Sequence, residues 1–133
     1  MVLVDTTVII DFLKGKETDK TRILESILIK RIPYAISSYS FQEILQGARN
    51  EKEYISLKSY LSTQTILFLP EDMGTYEEAA RLYYDLRRKG ITIRSTIDIL
   101  IALIAIKNHL TLLHDDRDFD LLADNIDDLW VLD

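Results

Sequence analysis

Residues 2–7 read Val2-Leu3-Val4-Asp5-Thr6-Thr7, and this stretch decides the fold. Three apolar residues in a row, without alternation, suit a strand buried on both faces. The run stops abruptly at a carboxylate. A hydroxyl residue, Thr6 or Thr7, then stands ready to cap a short helix through Phe12, which Gly15 would stop. A buried strand that ends in an acid and turns at once into a helix belongs to an α/β fold, where ligands gather at the carboxyl ends of the strands.

The rest of the chain repeats this alternation. A helix is expected over 19–30, with Ile23, Leu24, Ile27 and Leu28 on one face, and Pro33 opens a strand at Tyr34-Ala35-Ile36. Ser37 to Ser40 lead into a helix carrying Glu43, and a further helix spans 51–61. Ile66 to Leu69 form a strand stopped by Pro70. Tyr76, Ala79, Ala80, Tyr83 and Leu86 recur at helical spacing within 75–89, and Gly90 ends that helix. From Ser95 to Ile106 the helix is apolar nearly all round, which makes it central and buried. Strands at 110–113 and 129–132 flank a helix at about 118–124. The expectation is one domain over residues 1–133, with a mostly parallel central sheet of about five short strands and helices on both faces.

Composition narrows the chemistry. The 133 residues contain no Cys and two His, so thiolate chemistry and a multi-His metal site are excluded. Four Gly and two Pro leave no room for low-complexity linkers. A net charge of −6 argues against a protein that simply coats nucleic acid. The longest apolar run, Ile99 to Ile106, is far too short to cross a bilayer, and the N-terminus has no basic leader, so a cytoplasmic location is expected.

Acids recur at the strand ends. Asp5 follows the first strand, Glu43 the second, Asp98 opens the buried helix, and Asp116 and Asp118 follow the fourth strand. Carboxylates drawn together repel one another and need a cation. Oxygen ligands suit hard ions such as Mg²⁺ or Mn²⁺, which can activate water toward a phosphodiester without any protein nucleophile. Each acid also has a structural reading. Ser40-x-x-Glu43 and Ser95-x-x-Asp98 match capping boxes, and the run 115–120 suits a helix start. A calcium loop is excluded because Leu121 and Asp127 stand where such a loop needs Gly and usually Glu. His114 could touch metal or RNA, or be a surface hydrogen-bonding residue. The basic run Arg87-Arg88-Lys89 suits a solvated helix end or a phosphate contact, and Tyr76 and Tyr83 suit packing or base stacking.

In order and spacing, Val2-Leu3-Val4-Asp5-Thr6-Thr7, Ser40-Phe41-Gln42-Glu43-Ile44-Leu45-Gln46-Gly47, Asp98-Ile99-Leu100-Ile101-Ala102 and Asp116-Arg117-Asp118-Phe119 together resemble the PIN-domain proteins. The chain length and the Glu-Ile-Leu-x-Gly pattern are similar to the small VapC-type toxins of toxin–antitoxin pairs. The resemblance implies a Mg²⁺- or Mn²⁺-dependent endoribonuclease acting on tRNA or ribosomal RNA, a homodimer, and a cognate antitoxin whose C-terminal arm blocks the site. It implies Asp5, Glu43, Asp98 and Asp116 as the catalytic acids. Asp5, Asp98 and Asp116 would hold metal, with Asp118 as a further ligand and Glu43 acting directly or through water. Thr7 stands where the family often has a hydroxyl supporting the first Asp, and His114 replaces the small hydroxyl residue common two positions before the fourth acid. A non-catalytic PIN-like interaction module is the alternative. A phosphatase with Asp5 as nucleophile would want an acid where Thr7 stands.

Overall fold

The computed structural model describes residues 1–132; Asp133 lies outside the described residues. In chain order the elements are β1 (Val2–Val4), α1 (Thr6–Leu13), α2 (Asp19–Ile29), β2 (Tyr34–Ser37), α3 (Ser38–Gln46), α4 (Glu51–Leu61), β3 (Ile66–Leu67), α5 (Met73–Arg88), α6 (Thr96–Lys107), β4 (Thr111–Leu113), α7 (Arg117–Asn125) and β5 (Trp130–Val131). The strands form one sheet in the order β3-β2-β1-β4-β5, and every neighbouring pair is parallel. The expected α/β architecture is the one found.

Strand periodicity divides the core in two. Leu3, Ala35 and Leu112 face one side, where they meet Leu86, Ile101, Ile104, Phe119 and Leu122 from α5, α6 and α7. Val2, Val4, Ile36 and Leu113 face the other, against Val8, Ile9, Leu24, Ile27, Ile44 and Leu61 from α1 to α4. The chain steps outward from β1 through β2 to β3, then crosses back to β4 on the far side of β1. The strand order therefore reverses between β1 and β4, the place where open α/β sheets bind ligands.

β3, β4 and β5 are shorter than the sequence suggests. β3 ends at Leu67 instead of Leu69, because its partner β2 ends at Ser37, which pairs with Leu67 and then caps α3. β4 begins at Thr111 because the Leu110 N–H is taken by the Ala105 carbonyl in the turn that closes α6. α5 starts two residues before Thr75, since the Asp72 side chain accepts the Thr75 N–H and caps the helix.

Four helices, α1, α2, α5 and α6, close with the same pair of backbone bonds. The first residue past the cap donates to the carbonyl three positions back and the second to the carbonyl five positions back, as in Arg31 N–H to Leu28 and Ile32 N–H to Ile27. This turn needs a left-handed residue. Gly15 and Gly90 supply it at φ 73° and 81°, but Arg31 and His109 adopt it at 55° and 52° with a Cβ in place. A left-handed L-residue costs about 1–2 kcal/mol, partly offset by the extra chain entropy a glycine would lose. Arg31→Gly should therefore stabilise the protein by about 0.5–1 kcal/mol, read as a rise in melting temperature. An unchanged or lower melting temperature would show that the exposed Arg31 side chain contributes more than its backbone strain costs.

Candidate active site at the sheet reversal

The β1–β4 ladder runs one residue past the strands: the Asp5 N–H donates to the Leu113 carbonyl at 2.9 Å. This fixes Asp5 at the N-cap of α1, yet its side chain makes no capping hydrogen bond. The residue is only 5% exposed. Burial raises its pKa to about 7, the charges of Asp98, Glu43 and Asp116 push in the same direction, and the Thr6 backbone N–H opposes them. A buried carboxylate at a helix N-terminus with no capping task is one whose oxygens remain available.

Glu43 reaches the same end from α3. Thr6 Oγ1 lies 2.8 Å from Glu43 Oε1 and 2.8 Å from Ser40 Oγ, which is 3.1 Å from Ser37 Oγ. Each hydroxyl has one proton and a carboxylate only accepts. The Thr6 proton therefore goes to Glu43, Ser40 donates to Thr6, and Ser37 donates to Ser40. Ser37 and Ser40 are fully buried, so this chain of hydroxyls clamps Glu43 from beneath. Sequence reasoning assigned the cap to Ser40 and the supporting hydroxyl to Thr7. The N-cap is Ser37, whose Oγ accepts the Ser40 N–H, because β2 runs one residue further than expected. Thr7 is exposed, and the hydroxyl facing the acids is that of Thr6, its neighbour one helical step away.

Asp98 lies half-buried in the first turn of α6. Burial comes first among the causes that raise its pKa to about 6, followed by Asp116, Asp118 and Glu43, with Arg94 opposing. Ser95 caps this helix through the Ile97 N–H. Among the described residues no bond returns from the Asp98 side chain to Ser95, so its carboxylate is not spent on a capping box.

The other two acids are more occupied. Asp116 Oδ1 accepts the Asp118 N–H at 2.9 Å and so caps α7. Arg94, in the loop before α6, donates from Nε to Asp118 Oδ2 at 3.2 Å, and its Nη2 lies 3.7 Å from Asp116 Oδ1. The positive charge at this end is thus a guanidinium, which sequence reasoning did not single out; no periodicity or motif marks it. Among the described residues no three His, Asp or Glu side chains stand arranged to hold a metal ion. The charges of Asp98, Glu43 and Asp116 reach Asp5, and those of Asp116, Asp118 and Glu43 reach Asp98, so the acids share one neighbourhood, although burial is the larger cause of both shifts.

His114 is not a surface residue. It is 2% exposed and packs against Phe119, with ring centres 5.3 Å apart. Nδ1 accepts the Asp116 N–H at 3.1 Å, so the ring proton resides on Nε2, which points to Asp120 Oδ1 at 3.2 Å. Asp120 is exposed, and it orients the ring that holds the Asp116 backbone.

The raised acids have a consequence for stability. In the unfolded chain an Asp titrates near 3.8, whereas Asp5 and Asp98 hold their protons to about 7 and about 6. Between these limits the native state binds more protons than the unfolded chain, so their contribution to stability falls as pH rises from about 4 to about 7. In EDTA, Asp5→Asn should melt at a higher temperature than wild type at neutral pH, and the gap should close as pH falls toward 4. A gap independent of pH would mean that Asp5 does not carry a raised pKa.

A family profile described as PIN domain matches residues 2–125. The chain is 28% identical over 129 residues to a VapC ribonuclease, Mb1587, of Mycobacterium bovis, and equally to Ribonuclease VapC11 of Mycobacterium tuberculosis, with 92% of each chain covered. Among solved structures it is similar to FitAcB from Neisseria gonorrhoeae, at a TM-score of 0.75 and 22% identity over 100% of this chain and 97% of that one. It is also similar to VapBC-1 from nontypeable Haemophilus influenzae, at a TM-score of 0.72 and 20% identity over 100% and 98%. With the profile running from the first residue of β1 to the last of α7, the chain belongs to the PIN domain family.

Proposed function

We propose that the protein is a metal-dependent endoribonuclease and the toxin of a type II toxin–antitoxin pair, acting in the cytoplasm as a homodimer on tRNA or ribosomal RNA. The observation that carries this reading is Asp5: a buried carboxylate at the sheet reversal, free of capping duty and crowded by Asp98, Glu43 and Asp116. Two named ribonucleases covering most of the chain support the activity, and the fold shared with VapBC structures supports the antitoxin.

The donor set fits a hard divalent cation, Mg²⁺ or Mn²⁺: every candidate ligand is a carboxylate oxygen, and Asp5 and Asp98, crowded by neighbouring acids, form no ion pair with Arg94. Asp5, Asp98 and Asp116 would hold the ion, with Asp118 available once Arg94 turns away. A cation bound there supplies a water of lowered pKa and a positive charge for the leaving oxygen. Glu43, clamped by Thr6, takes the proton of the attacking water, directly or through a second water. His114 and the α7 cap keep Asp116 in place. Because water and not the ribose 2′-hydroxyl attacks, the products carry a 5′-phosphate and a 3′-hydroxyl.

Arg94 favours a second reading. A guanidinium already sharing Asp116 and Asp118 would suit a PIN-like interaction module that retains its acids without cleaving. One experiment separates the two. Purified protein with Mn²⁺ should cut structured RNA, leaving 5′-phosphate ends. Asp5→Asn and Asp98→Asn should each lower the rate by more than about a hundredfold, and Thr6→Val by about tenfold or more, the scale of losing a group that orients a ligand. Asp120→Asn should retain most activity, since Asn still accepts the His114 Nε2–H. No cleavage by wild type, or equal cleavage by Asp5→Asn, would favour the module.

The Arg94 contacts support one way for a partner to silence the site. An Arg or Lys from the antitoxin tail, entering between the carboxylates, would replace the charge of the metal. Neutralising that residue in the antitoxin should restore cleavage while the complex persists. Continued inhibition would place the block elsewhere.

A further inference from the structure

The densest positive charge outside the acidic cleft lies at the C-terminal end of α5. Residues 81–89, Arg81-Leu82-Tyr83-Tyr84-Asp85-Leu86-Arg87-Arg88-Lys89, carry four cations against one acid on a chain of net charge −6. Leu86 is buried and anchors the helix, whereas Arg81, Tyr84, Arg87, Arg88 and Lys89 are exposed. Arg81, Tyr84 and Arg88 share one stripe at spacings of three and four. The guanidinium carbons of Arg81 and Arg88 stand 5.3 and 5.7 Å from the Tyr84 ring centre, and Arg88 Nη1 donates to the Tyr84 hydroxyl at 3.2 Å. Arg87 stands 5.9 Å from the Tyr83 ring centre. Among the described residues Asp85 pairs only with Arg81, and Arg87, Arg88 and Lys89 have no acidic partner.

This cluster borders the N-terminal half of α6, the helix whose first turn carries Asp98. α5 turns at Gly90 and returns as α6, so Tyr83, Tyr84 and Arg87 line a groove with Thr96, Ile99 and Leu100, the turn of α6 that carries Asp98. An acidic cleft by itself repels a polyanion, so a phosphodiester strand reaching it needs cations beside it. Guanidinium groups held over tyrosine rings are flat, partly pre-ordered cations that can pair with phosphate oxygens and stack on unpaired bases. A second copy of the chain is a poorer occupant, because a two-fold contact would set the four cations against themselves.

We propose that the Arg81–Tyr84–Arg88 stripe, with Arg87 and Lys89, docks single-stranded RNA and leads its backbone to the acidic cleft. The proposal rests on the ribonuclease reading, and its test can fail separately. A fluorescein-labelled single-stranded RNA is titrated with the full chain in EDTA, which prevents metal-dependent cleavage, over a series of KCl concentrations. The double variant Arg87→Gln/Arg88→Gln should bind at least about tenfold more weakly at low salt. Its slope of log K against log salt should be shallower by about 1.4, the loss of two phosphate contacts on a single strand. Tyr84→Ala should weaken binding while leaving the slope unchanged. If wild type and the double variant bind equally, the docking face is wrong and the nuclease reading stands. If wild type binds no RNA at any salt, the docking proposal fails, and the nuclease reading is decided by the cleavage of structured RNA with Mn²⁺. Light scattering on the same samples checks the assembly: loss of RNA binding accompanied by dissociation would assign the face to a subunit contact and overturn the proposal. Poly-glutamate competing as well as RNA of equal charge would overturn it too, by marking an unselective anion patch.

Discussion

The hydrogen bond from the Asp5 N–H to the Leu113 carbonyl is the interaction on which the rest of the site depends. It extends the central parallel ladder one residue beyond Val4 and brings the acid that ends β1 level with the segment that ends β4. Because β1 lies between β2 and β4, everything that follows those strands is delivered to one place. α3 brings Glu43 from one flank, and His114 and Asp116 arrive from the other. α6, packed across the sheet by Ile99, Ile101 and Ile104, brings the Asp98 turn over the same end. No residue of the cleft needs an unusual backbone to get there.

The acids are not equivalent, and their differences follow from what else each carboxylate has to do. Asp116 caps a helix, Asp118 holds Arg94, and Glu43 receives a hydroxyl from Thr6. Asp5 and Asp98 have no such task, and both are held above the usual carboxylate range first by burial and then by their neighbours. A site built this way is strained electrostatically without a cation and relieved by one. Arg94 supplies part of that relief to Asp116 and Asp118, the two acids furthest from being free.

Much of this was legible from sequence because the signals were local. Uninterrupted apolar triplets marked the buried strands, Gly15 and Gly90 marked helix stops, and Asp5 directly after β1 pointed to the carboxyl ends of the strands. What was missed depends on contacts between distant segments. Thr6 and Thr7 are indistinguishable as neighbouring hydroxyls until the helix phase turns one toward Glu43 and the other to solvent. Ser37 and Ser40 both offer a cap, and the choice falls to Ser37 only because β2 continues to pair with β3 up to that residue. His114 looked like a polar residue at a strand end; Phe119, five residues on, buries it. Arg94 has no local signature, since its partners are 22 and 24 positions away.

The central claim is that Asp5 is an unspent, charge-burdened ligand awaiting a divalent cation, and thermal melts in EDTA and in excess Mn²⁺ test it without reference to any RNA. An ion that binds the folded site and not the unfolded chain should stabilise wild type by about 2.7 kcal/mol at a hundredfold excess over its dissociation constant. Asp5→Asn removes one ligand and should gain far less at the same Mn²⁺ concentration. An equal Mn²⁺-induced shift in wild type and Asp5→Asn would contradict the account, because the ion would then be held by other residues.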